Sequence, residues 1–267
     1  MSPLVAALLG VVEGLTEYLP VSSTGHLILV GHFLGETGDT AKSFEIVIQL
    51  GAILAVVVHY RALLGARIAG LFSRDPRSMA LGTALVIGFL PAAVFGFFLS
   101  KTIKKLLFKP IPVAIALIVG GVVMILVERL RKSRRLEPAD GLEQVTPRRA
   151  LLIGLGQCVS LWPGSSRSMC TIVAGQLTGL STATAAEFSF LLALPTLGAA
   201  TLYELYKGRH ELMAPGLGVE LAIGLVVSFV VAWAVIAGFL RYLKHRGLEP
   251  FGYYRIVLAV MVFWMLM

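Results

Sequence analysis

Charge is scarce in this chain. Asp, Glu, Lys and Arg make up 14% of its 267 residues, where a soluble domain carries about a quarter, and the shortfall excludes water as the main solvent. Cysteine is nearly absent. Cys158 and Cys170 make neither a metal-ligand spacing nor a disulfide framework, so they read as small buried side chains. The two-residue alternation of a membrane β-barrel strand is also missing. Met1–Val12 has no basic start and no A-x-A site, and Glu13 interrupts its apolar stretch, so no cleavable signal is expected.

What remains is apolar. Hydrophobic residues account for 57% of the chain, and mean hydropathy is +0.85. Six runs stand out: Ser43–Tyr60, Met79–Ser100, Ile111–Val127, Ala186–Tyr206, Val219–Leu240 and Phe251–Met267. Each is near the ~20 residues that cross ~30 Å of hydrocarbon. Lipid satisfies no backbone N–H or C=O, so only helices or closed barrels can span it. The expected fold class is an all-α polytopic membrane protein.

The formal net charge of +8 would suggest nucleic acid in a soluble chain. Here the basic residues sit mostly between apolar runs, so no nucleic-acid partner is expected and the charge reports topology instead. Segments Arg61–Met79, Arg129–Arg149 and Arg241–Pro250, read as loops, carry four, seven and three Lys/Arg. The alternate loops, around Lys42, Lys101–Lys109 and Lys207–Arg209, carry one, four and two. Fourteen against seven places the first set in the cytoplasm, although the Lys101–Lys109 cluster argues the other way.

Two further apolar stretches, Leu4–Gly31 and Ala150–Gly179, are each broken near the middle by Pro, Gly and Ser. At an offset of 143–144 residues the two halves align. Glu13-Gly-Leu-Thr-Glu-Tyr-Leu-Pro-Val-Ser-Ser-Thr-Gly-His26 faces Gln157-Cys-Val-Ser-Leu-Trp-Pro-Gly-Ser-Ser-Arg-Ser168 with one gap, and Phe44 and Leu50 face Phe188 and Leu194. The repeats cover about 1–130 and 150–267 of a single membrane domain, joined by the basic loop 129–149. Each is one re-entrant broken-helix hairpin plus three transmembrane helices. Three is odd, so the second copy is expected upside down, an inverted-topology repeat with its site near the midplane where interrupted helices meet. The first hairpin then enters from outside and the second from inside, with Pro20 and Pro163 at the breaks.

Glu13 and Glu17 are four apart and share a helix face. Two carboxylates at membrane depth cost about 2.5 kcal/mol each on insertion scales and repel one another. A hard divalent ion between them, or an arginine, resolves both problems; an interfacial helix with a solvated acidic face is the bland alternative. Ser22, Ser23 and Thr24 can each cap a helix, and a helix start attracts anions. Pro163-Gly-Ser-Ser-Arg-Ser168 repeats that design and adds Arg167, whose fork suits phosphate oxygens. His26, three residues after Ser23, can move a proton. His32, His59, His210 and His245 are given no role. Together these residues describe an anionic, phosphorylated ligand at a membrane site.

At these two segments, and in span count and spacing over essentially the whole chain, the sequence resembles the undecaprenyl-pyrophosphate phosphatases, the family tied to bacitracin resistance. The stretches that carry the resemblance are Glu13–His26 and Trp162-Pro-Gly-Ser-Ser-Arg-Ser168 with Thr171. Met169 stands where that family's second motif usually has glycine. The resemblance implies a bacterial inner-membrane hydrolase whose site faces the periplasm. It would remove the terminal phosphate of a C55 polyprenyl diphosphate, recycling the lipid carrier for cell-wall synthesis. It also implies a divalent cation, Mg²⁺ or Ca²⁺. Carried over by motif, the site residues are Glu13, Glu17, Ser22, Ser23, Thr24, His26, Ser166, Arg167, Ser168 and Thr171. The expected roles are Glu13 and Glu17 on the metal, Glu17, Ser23, His26 and Arg167 in catalysis, and Ser22, Thr24, Ser166, Arg167, Ser168 and Thr171 on phosphate. Expected partners are the polyprenyl diphosphate and membrane lipid; whether the chain pairs with itself stays open. A secondary transporter or lipid flippase is the alternative, since discontinuous helices serve that plan too.

Overall fold

The computed structural model describes residues 1–36, 38–107, 109–134, 138–207 and 218–266. Arg209 and His210 lie outside these. Among the described residues all regular elements are helices, with one isolated bridge between Ala139 and Leu180. In order they are α1 (Pro3–Thr16), α2 (Ser23–Phe33), α3 (Asp39–His59), α4 (Arg61–Phe72), α5 (Pro76–Leu107), α6 (Pro110–Arg134), α7 (Pro147–Cys158), α8 (Arg167–Leu177), α9 (Thr182–Lys207), α10 (Gly218–Leu243) and α11 (Glu249–Leu266).

Helices α1 and α7 begin alike. Each has a proline at its first position and a hydroxyl cap before it: Ser2 accepts from the Val5 N–H and Thr146 from the Arg149 N–H, both at 3.3 Å. The six apolar runs fall in α3, α5, α6, α9, α10 and α11. Among the described residues four helices, α5, α6, α9 and α10, are long and apolar enough to cross a membrane alone, and α3 with α4 makes a fifth, bent by 73°. The stretch Arg61–Met79, read from its arginines as a loop, therefore contains a helix. Ala62, Leu63, Leu64, Ile68 and Ala69 recur at helical spacing between those arginines, and Leu63 and Leu64 pack against the main core.

The long helices meet through small residues, as expected where lipid removes any hydrophobic drive for helices to pair. Helix α1 lies so close to α10 that a Cβ on Gly14 would sit 2.8 Å from the Ser228 carbonyl. Helix α7 approaches α5 as closely, with a Cβ on Gly154 falling 2.5 Å from the Gly88 carbonyl.

Polar contacts collect at the helix ends. At one, the Met1 amino group lies 3.5 Å from Glu36, joining the start of α1 to the end of α2. At another, Arg131 donates to the Leu180 carbonyl at 2.8 Å, and the Glu128 carboxylate accepts from Gln176 at 3.2 Å and from the Leu248 N–H at 3.4 Å. There Asp140 accepts from the Ser181 and Thr184 hydroxyls at 2.5 and 2.7 Å. These two hydroxyls hold the Asp140 carboxyl below its ordinary value.

A candidate active site where two broken helices meet

Helix α1 stops at Thr16, but the Glu17 N–H still reaches the Glu13 carbonyl at 2.9 Å, which keeps both carboxylates on one face. The chain then turns through Pro20 and Val21 and restarts at Ser22, which caps α2 by accepting from the Gly25 N–H at 3.3 Å. The second break is built the same way. Ser166 caps α8 by accepting from the Met169 N–H at 3.3 Å. Ser22 and Ser166 both have left-handed backbones, with φ of 74° and 70°. A non-glycine residue there costs on the order of 1–3 kcal/mol and persists only where its surroundings dictate it. Met169, by contrast, is an ordinary position in the first turn of α8, so this backbone does not require glycine there.

Arg255, on α11, enforces those surroundings. It is fully buried and donates to the carbonyls of Pro20 and Ser165 (3.1 Å each), Gly164 (2.8 Å), Ala116 (3.1 Å) and Leu117 (3.3 Å). The first three belong to the two breaks, so one guanidinium fastens both.

Further bonds join the hairpins directly. The Ser168 hydroxyl donates to the Leu19 carbonyl at 2.9 Å and lies 3.0 Å from Ser166 Oγ. Arg167 Nη2 donates to Glu17 Oε1 at 3.0 Å, while Ser23 Oγ donates to Glu17 Oε2 at 2.6 Å. Arg167 Nη1 donates to the Ser189 carbonyl and hydroxyl at 3.0 and 3.3 Å. The Thr171 hydroxyl bonds Ser189 at 2.6 Å. The guanidinium carbon lies 5.5 Å from the centre of the Tyr18 ring, within cation–π range. Tyr18 is itself held by the Ala52 carbonyl at 2.8 Å.

Exposures decide how costly this arrangement is. Glu13 is 1% exposed, Glu17 6%, and the Arg167 side chain 8%. Such charges must be paired or neutralised, yet two of their atoms are not. Glu13 Oε1 and Arg167 Nε are buried with no hydrogen-bond partner. One is an acceptor and the other a donor. The donor set fits a hard divalent ion completed from outside the protein. It offers the Glu13 and Glu17 carboxylates, and among the described residues no cluster of three or more His, Cys, Asp or Glu surrounds them. An ion bound by one or two carboxylates takes its other ligands from water and phosphate.

Of the residues singled out in the sequence, Glu13, Glu17, Ser22, Ser23, His26, Ser166, Arg167, Ser168 and Thr171 come together in this buried region. Thr24 does not share that burial; it is exposed in the first turn of α2. The Ser23 hydroxyl is directed at Glu17 rather than His26. His26 bonds instead to the Ser22 carbonyl through Nδ1 at 2.8 Å and to the Tyr254 hydroxyl through Nε2 at 2.7 Å. Cys158 and Cys170 are free thiols; Cys170 is buried as expected, while Cys158 is only half-buried. Sequence reasoning missed Arg255, Ser189 and Tyr254. Arg255 had a signal, as a lone arginine inside the apolar run Phe251–Met267. Ser189 and Tyr254 had none.

The chain matches other proteins along nearly its whole length. The family model described as bacitracin resistance protein BacA matches residues 6–261. The undecaprenyl-diphosphatase of Sorangium cellulosum (strain So ce56) is 62% identical over 261 residues, covering 97% of this chain and 85% of that relative.

Proposed function

The chain belongs to the bacitracin resistance protein BacA family, and from that premise we propose that the two half-helix breaks form the site of an undecaprenyl-diphosphate phosphatase. The protein is a multi-pass membrane enzyme that converts undecaprenyl diphosphate to undecaprenyl phosphate and inorganic phosphate, returning the lipid carrier to cell-wall synthesis. The observation that carries the assignment of residues is the pair of orphaned atoms, Glu13 Oε1 and Arg167 Nε, in one buried site. A metal-bound diphosphate supplies both missing partners.

In this reading Glu13 and Glu17 hold Mg²⁺ or Ca²⁺, which when bound neutralises diphosphate charge. Arg167 keeps its Ser189 bonds and offers Nε to the outer phosphate, where charge grows in the transition state. The N–H groups opening α2 and α8 add partial positive charge beside it, with Ser22, Ser166, Ser168 and Thr171 shaping those two helix starts; Thr24 stands at the outer edge. Glu17 Oε2 already accepts the Ser23 proton at 2.6 Å, so Glu17 is the base. Either a water attacks in line and gives inorganic phosphate at once, or Ser23 Oγ attacks and a water then cleaves the phosphoserine. In both cases the bond that breaks first joins the outer phosphorus to the polyprenyl monophosphate oxygen, which leaves. His26 supports Ser23 through the Ser22 peptide.

An inverted repeat is part of the same proposal. Supporting it are the capping prolines Pro3 and Pro147 and the left-handed serines Ser22 and Ser166, each pair 144 positions apart. The excess of basic residues in 61–79, 129–149 and 241–250 supports a bacterial inner-membrane location with the first hairpin opening to the periplasm. Arg167→Ala tests the assignment. It should abolish phosphate release from a polyprenyl diphosphate in detergent with the fold intact, and release at the wild-type rate would discard the arginine's role. A lipid transporter would instead show vesicle flux without hydrolysis.

A further inference from the structure

Tyr254 lies outside every role assigned above, yet its hydroxyl is 2.7 Å from Nε2 of His26. The other face of that imidazole fixes what the contact means. Nδ1 lies 2.8 Å from the Ser22 carbonyl, and a carbonyl only accepts, so Nδ1 carries the hydrogen. In the neutral ring Nε2 then holds the lone pair and Tyr254 O–H is the donor. The two ring planes are parallel within 2°, their centres 5.6 Å apart. An imidazole turned over by 180° has nearly the same shape but would set a carbon against the Ser22 carbonyl. The Ser22 carbonyl at Nδ1 and the Tyr254 hydroxyl at Nε2 therefore choose the orientation together, and the hydroxyl is the partner that holds the far edge of the ring. The carbonyl thus held belongs to a left-handed residue, and the next residue in the chain is Ser23.

We propose that Tyr254 is a positioning residue for the phosphatase reaction: it fixes the His26 ring, which holds the strained Ser22 peptide and with it the Ser23 hydroxyl against Glu17. The tyrosine itself is 47% exposed, so its hydroxyl is not forced onto His26 by burial. This inference rests on the roles given above to Ser23 and Glu17.

The test compares wild type, Tyr254→Phe, His26→Ala and the double variant in phosphate release from undecaprenyl diphosphate in detergent, with thermal midpoints measured alongside. Losing one neutral hydrogen bond to an intermediate residue should lower kcat about three- to tenfold, with KM and midpoint unchanged. In the His26→Ala background the phenylalanine should have no further effect, because the hydroxyl acts only through the histidine. Spectra of ¹⁵N-histidine-labelled protein give a second readout: Nδ1 protonated in both proteins, with the Nε2 resonance showing an accepted hydrogen bond in wild type and its loss in Tyr254→Phe. Four results would overturn the proposal: a wild-type rate in Tyr254→Phe, a loss that persists without His26, a change in KM alone, or a fall in midpoint that accompanies the rate loss. Wild type that releases no phosphate would sink the site assignment itself, and is distinguishable from all four.

Discussion

Replacing Arg255 with lysine keeps the charge and removes the fork. The native guanidinium serves five carbonyl oxygens. Those of Ala116 and Leu117 lie inside α6, whose own helical ladder can still serve them. The carbonyls of Pro20, Gly164 and Ser165 sit in the breaks and have no such ladder. A lysine ammonium places its three hydrogens at one point and reaches one or two of these carbonyls. That leaves one or two buried acceptors unpaired, at about 1–3 kcal/mol each, so Arg255→Lys should cost about 1–6 kcal/mol. The damage should also reach catalysis, since the left-handed backbones at Ser22 and Ser166 rest on the loops this arginine fastens. Thermal denaturation in detergent and phosphate release, measured on one preparation, read both effects. Arg255→Lys with a wild-type midpoint and a wild-type rate would refute the idea that one guanidinium holds the two breaks.

Two further outcomes follow from the site geometry. Glu17→Gln keeps one acceptor oxygen of the two that serve Arg167 and Ser23 but cannot take a proton, and should lower kcat by about 10²–10⁴; a change confined to KM would leave it a binding group only. A chelator should stop phosphate release and added Mg²⁺ or Ca²⁺ should restore it, whereas release that survives exhaustive chelation would remove the cation from Glu13 and Glu17.

Much of this site was legible because membrane physics makes certain residues expensive. Acids at Glu13 and Glu17, and a guanidinium at Arg167, cannot stand in apolar stretches without partners, and each proved to lie in the buried site. The helix breaks were legible from a cluster: Pro20 and Pro163 are each followed two and three residues on by capping serines, whereas Pro91 and Pro195, without such serines, stay inside α5 and α9. Less accessible was which hydroxyl meets which charge. Spacing placed Ser23 and His26 on one face, yet Ser23 turns back across the break to Glu17, six residues earlier. Helix α4 was obscured by its arginines, which mark topology and structure at once. Ser189 and Tyr254 were invisible for a simpler reason. Each reaches the site from a distant helix, α9 or α11, and no local pattern distinguishes a hydroxyl facing a site from one facing lipid.

The central claim is that an acid from one hairpin and a guanidinium from the other hold the same diphosphate. A crystal structure with Mg²⁺ and a non-hydrolysable polyprenyl methylene-diphosphonate measures it directly. The cation should sit on Glu13 Oε1 and a phosphonate oxygen within hydrogen-bond distance of Arg167 Nε, the two atoms that lack partners here. A diphosphonate bound elsewhere, with those two atoms still bare, would contradict it.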